Sequence, residues 1–89
     1  MTPITMYSSD FCPFCMRARH LLSKKADINL TLIDVDANPT ERQAMQRKGG
    51  GHTVPQIWIG EVYVGGCDDL WALEHAGKLD DLIATQASS

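Results

Sequence analysis

The sequence has no apolar run long enough to cross a bilayer, so neither a membrane-spanning helix nor a membrane partner is expected. It has no basic tract. Its 8 lysines and arginines face 11 acidic residues, for a net charge of −3, which argues against nucleic acid as a partner. The opening MTPITMYSSD has neither a positive region nor an apolar stretch. No secretory signal is expected from it, and the chain reads as cytoplasmic, in a reducing setting. Cysteines are few and odd in number, three, which fits a disulfide scaffold poorly. Structural zinc needs four ligands, and a second CxxC or a spaced histidine pair is missing. Cys67, His20, His52 and His75 show no ligand spacing, so no metal is expected.

What is present suits one small domain, residues 1–89, with a hydrophobic fraction of 44% that a single core can use. ITMYS, Ile4 to Ser8, reads as a strand. After a polar turn, Pro13 to Lys25 reads as a helix. Cys15, Ala18, Leu21 and Leu22 form its inner stripe, and Arg17, Arg19, Lys24 and Lys25 its wet face. INLTLIDVD, Ile28 to Asp36, reads as a second strand, parallel to the first because a helix separates them. NPTERQAMQRKGGG reads as a helix capped by Asn38, opened by Pro39 and stopped by Gly49, Gly50 and Gly51. VPQIWIG and EVYVGG read as a hairpin around Gly60 and Glu61. Cys67 to Ala76 reads as a helix, Leu79 to Ala84 as a last turn or two, and TQASS as a frayed tail. The order β-α-β-α-β-β-α predicts an α/β fold, a four-stranded mixed sheet with helices on both faces.

The chemistry concentrates in Cys12-Pro13-Phe14-Cys15. A permanent disulfide there would close a very small loop and add little stability. A reactive dithiol has a mechanism. Cys12 sits where a helix N-cap sits, so first-turn N–H groups and the helix dipole favour its thiolate, which is the nucleophile. Cys15 lies one turn on, on the inner stripe, within reach of a mixed disulfide formed at Cys12. That asymmetry makes Cys12 the attacking thiol and Cys15 the resolving one. The doublet GGCDD puts Gly65 and Gly66 before a helix start. Such a start offers N–H groups to a carboxylate. Asp68 and Asp69 there suit the helix end itself.

CPFC, TVPQIWIG and GGCDDL together resemble the glutaredoxins, a branch of the thioredoxin-fold family, from Ile4 to about Leu82. The resemblance implies a thioredoxin-like fold and glutathione as reducing cosubstrate. It implies a glutathione site made of Phe14 beside the cysteines, Thr53, Val54 and a cis Pro55, and Gly66, Cys67 and Asp68. In that site the Cys67 and Asp68 N–H groups meet the γ-glutamyl carboxylate and the Asp68 carboxylate takes the α-amino group. Many members hold the glycyl carboxylate with a lysine where this chain has Ser9, and with an arginine near Gly51 and His52. Arg42 is the remaining candidate for that contact. The implied activity is reduction of protein–glutathione mixed disulfides and of protein disulfides, by a monomer whose partners are glutathione and glutathionylated or disulfide-containing proteins. Two other readings are an iron–sulfur cluster carrier, which Pro13 argues against, and an electron donor recycled by thioredoxin reductase, which GGCDD argues against.

Overall fold

The computed structural model describes residues 1–87. Its elements are β1 (Thr2–Ser8), α1 (Pro13–Ser23), β2 (Ile28–Asp34), α2 (Pro39–Met45), β3 (Gln56–Ile59), β4 (Val62–Gly65), α3 (Cys67–His75) and α4 (Leu79–Thr85). One sheet has the order β2-β1-β3-β4. β1 runs parallel to β2 and antiparallel to β3, and β3 pairs antiparallel with β4.

Strand alternation sorts the side chains into two layers. Ile4 and Met6 of β1 pair with Ile59 and Ile57 of β3, and all four join Ala18, Leu21 and Leu22 of α1 and Leu70 of α3 in the larger core. Tyr7 and Trp58 face the opposite way, where Met45 of α2 and Val35 cover them. Helices therefore lie on both faces, and the mixed sheet is the one the sequence predicts.

Several boundaries differ from expectation. β1 begins two residues early, because the Thr2 hydroxyl is buried and donates to the Ile83 carbonyl at 2.6 Å. α1 stops at Ser23, where Lys24 N–H and Lys25 N–H close tighter bonds to Leu21 O and Leu22 O. Lys25 is not on a wet face. It pairs with Glu74 and Asp80 with its side chain 12% exposed. β2 ends at Asp34 and lies at the sheet edge, so its alternation leaves Leu32 exposed.

Asn38 stands at the α2 N-cap but makes no cap bond, its amide donating to Asp34 O instead. A wide turn, Gln46–Gly50, ends α2 through Gly49 at φ 98°. Thr85 of the expected frayed tail is helical, and the Gln86 amide oxygen accepts from Glu61 N–H at 3.2 Å. Ser88 and Ser89 lie outside the described residues.

Candidate active site

Cys12 is the N-cap of α1, with extended backbone at φ −121° and ψ 104°. Pro13 follows at the first helical position, where a missing N–H costs nothing. The Cys12 sulfur accepts the Cys15 N–H at 3.2 Å, and its thiol donates to the Val54 carbonyl at 3.7 Å. One sulfur thus joins a helix start to the loop before β3. Cys12 is half-buried, whereas Cys15, one turn along the inner stripe, is 2% exposed. Burial pushes the Cys15 thiol well above the ordinary range, and its bond with the Cys12 side chain adds to that. Burial also pushes the Cys67 thiol up, against the opposing charge of Arg17. Cys67 is therefore a buried protonated thiol, and what it offers outward is its backbone N–H.

Beside Cys12 lies an open cleft of about 370 Å³. α1 gives it Phe14, the loop into β3 gives Thr53, Val54, Pro55 and Gln56, β4 gives Tyr63, and the start of α3 gives Gly66, Cys67, Asp68 and Asp69. The Val54–Pro55 bond is cis, as the resemblance implies. The α3 start is shaped by its glycines. Gly65 has φ 113°, and a Cβ there would run into the Asp69 carboxylate. Gly66 is different: its φ is −92°, and a Cβ would sit an ordinary 3.5 Å from the Pro55 carbonyl. The two aspartates also differ. Asp69 accepts the Gly66 N–H at 3.0 Å and caps its own helix, while Asp68 has no side-chain partner among the described residues.

Seven of the eight expected binding residues thus line one cleft: Phe14, Thr53, Val54, Pro55, Gly66, Cys67 and Asp68. Arg42 does not line it. Its guanidinium pairs with Asp36 at 3.0 Å and donates to the His52 carbonyl at 3.3 Å. Asp36 also accepts the Ser9 hydroxyl. That hydroxyl first, and Arg42 after it, hold the Asp36 carboxyl below the usual carboxylate range.

Sequence reasoning missed Gln56, Tyr63 and Asp69 as cleft residues. The Tyr63 hydroxyl donates to the Gln56 amide oxygen, and the Gln56 amide nitrogen donates to Thr53 Oγ1 at 3.2 Å. A glutamine inside the apolar run VPQIWIG was the available signal, since buried polar groups need partners. Lys48 lies over the Trp58 ring at 4.7 Å and the Tyr7 ring at 5.7 Å.

Comparison with known proteins identifies the family and the fold. The family model described as Glutaredoxin matches residues 4–64. A glutaredoxin of Pseudomonas aeruginosa is 51% identical over 84 residues, covering 94% of this chain and 99% of that one. Glutaredoxin 3 of Escherichia coli K12 is 41% identical over 83 residues, covering 93% and 99%. The solution structure of a glutaredoxin from Brucella melitensis superposes with a TM-score of 0.82 at 46% identity, covering 100% of this chain and 96% of that one.

Proposed function

This chain belongs to the glutaredoxin family of thiol–disulfide oxidoreductases, and from that premise we propose that it is a glutathione-dependent enzyme. It reduces protein–glutathione mixed disulfides and protein disulfides, acting as a single-domain cytoplasmic monomer over residues 1–89. The observation that carries the reading is the cleft beside the Cys12 sulfur. It joins a helix start, a free Asp68 carboxylate and the backbone of Val54, which together match the carboxylate, ammonium and peptide of a γ-glutamyl thiol.

In the proposed reaction the Cys12 thiolate attacks the glutathionyl sulfur and the protein thiolate leaves, taking a proton. A second glutathione then displaces the first from Cys12 as glutathione disulfide. With a protein disulfide, Cys12 forms a mixed disulfide, and Cys15 attacks the Cys12 sulfur to expel the second protein thiolate. The resulting Cys12–Cys15 disulfide is reopened by two glutathiones. Burial keeps Cys15 a protonated thiol at neutral pH, so it follows Cys12 and does not compete with it.

Cys12→Ser should abolish turnover of both substrate kinds. Cys15→Ser should retain deglutathionylation and lose most protein-disulfide reduction. Equal losses for the two variants on a glutathionylated peptide would refute this division of labour.

A further inference from the structure

The first turn of α1 leaves two large apolar side chains without cover. Phe11 stands just before the Cys12 N-cap, and Met16 is the fourth helical residue. Side chains at these two positions commonly close on each other as a staple over the helix start. Here they do not, since Phe11 is 97% exposed and Met16 66%. The face that continues from Met16 is basic. Arg19, His20 and Ser23 follow it at helical spacing and line an open groove of about 340 Å³ with it. From Pro13 to Lys25 the chain carries four of its eight lysines and arginines and no acidic residue, although its net charge is −3. Lys25 is committed to Glu74 and Asp80, and Arg17 lies near the Cys67 thiol. Arg19 and Lys24 are exposed and, among the described residues, form no ion pair. This face begins next to the half-buried Cys12 and turns away from the cleft, which α1 lines through Phe14.

We propose that this outer face of α1 docks protein-disulfide substrates, and that the segment it takes has an apolar residue beside its cysteine and acidic residues further along. The inference rests on the protein-disulfide half of the proposed function and names its substrate class. Helix and strand rises set the spacing. Arg19 and Lys24 come seven and twelve residues after Cys12, about 10 and 18 Å along the helix axis. An extended segment spans those lengths in about three and about six residues. Acidic side chains at about the third and sixth positions from the substrate cysteine therefore meet Arg19 and Lys24. The apolar neighbour of that cysteine settles between Phe11 and Met16. The Cys12 thiolate attacks one substrate sulfur, and the other substrate thiolate leaves and takes a proton. Cys15 then attacks the Cys12 sulfur and expels the docked thiolate, so two electrons pass from the dithiol to the substrate disulfide.

The test is a single-turnover reaction of the reduced wild-type chain, without glutathione, against symmetric disulfides of three peptides. Each peptide has one cysteine flanked by leucine, with aspartate, asparagine or lysine at the third and sixth positions on each side. At low salt the aspartate disulfide should react about tenfold faster than the asparagine one, and the lysine disulfide slowest. The spread should narrow to about twofold in about 1 M salt, where the Debye length is about 3 Å. Arg19→Glu combined with Lys24→Glu should invert the order. Its rate with 2-hydroxyethyl disulfide, uncharged and too short to reach either position, should stay within about twofold of wild type. Phe11→Ser should slow the aspartate peptide by about threefold, and the loss should vanish when the leucines are replaced by serine. A wild-type chain that does not distinguish the three peptides would overturn the proposal. So would a charge preference that the double variant keeps, since it would then belong to another part of the surface. An unchanged rate in Phe11→Ser would overturn the apolar part of the contact. Peptide disulfides that stay unreduced while a glutathionylated peptide turns over would overturn the proposal together with the protein-disulfide half of the function, and would leave the glutathione half standing.

Discussion

Replacing Asp69 by alanine removes the acceptor of the Gly66 N–H, and an unfilled cap of this kind costs about 1 kcal/mol. A lower urea midpoint should report it. Asp68→Asn should leave that midpoint within about 0.5 kcal/mol. It should instead raise the KM for a glutathionylated peptide, because a charge-assisted bond becomes a neutral one weaker by about 1 kcal/mol. The sequence could not separate these neighbours, since both suit a helix start. Which one turns back to Gly66 is set by the loop leaving β4. Cys15 supplies a pH test. Its thiol is held protonated in the fold and ionises freely once unfolded, so its share of stability is complete below the ordinary value of 9.0 and is lost above it. Cys67 and Lys25 shift the same way, so the comparison must be with Cys15→Ala. The stability gap between wild type and that variant should shrink above about pH 9, by no more than about 1.4 kcal/mol per pH unit. A gap that stays constant to about pH 10.5 would show that Cys15 ionises as readily folded as unfolded.

Among the elements, α3 has the most local specification. Gly65→Ala puts a side chain at φ 113° against Asp69 and should cost more than about 2 kcal/mol. Gly66→Ala keeps an allowed backbone and an open contact, so it should cost about 1 kcal/mol or less in a thermal melt. The sequence presented GG as one feature, and only the backbone angles divide it. The core stripes of α1 and the hairpin were legible because periods of 3.6 and 2 are local properties. Element ends were less so. The early start of β1 depends on a bond from Thr2 to Ile83, 81 residues away, and no local pattern carries that. The Ser9–Asp36–Arg42 network was hidden for the same reason, as it joins three separate segments.

At the scale of the molecule, Lys25 ties the end of α1 to α3 and α4. Both Glu74 oxygens accept from it, at 2.9 and 2.8 Å, in a half-buried setting. Its Asp80 arm, with that carboxylate 75% exposed, is screened by water and adds little. Lys25→Met should therefore lower stability by about 1–2 kcal/mol without altering turnover, because the site lies elsewhere. The order of elements and the sheet were readable in advance because each helix and strand announces one apolar face, and two-layer burial leaves few ways to combine them. The closing of the cleft was readable only through family resemblance, since Phe14, Val54 and Cys67 lie far apart in the chain. One consequence is optical. Trp58 is buried at ring distance from Tyr63, which lines the cleft, while Trp71 packs by α3 against the other face of the sheet and near His75. With Trp71→Phe, the remaining indole becomes a built-in fluorophore for occupancy. Titrating glutathione disulfide into that variant with Cys12→Ser should change its emission along a saturating curve, giving an affinity without any turnover.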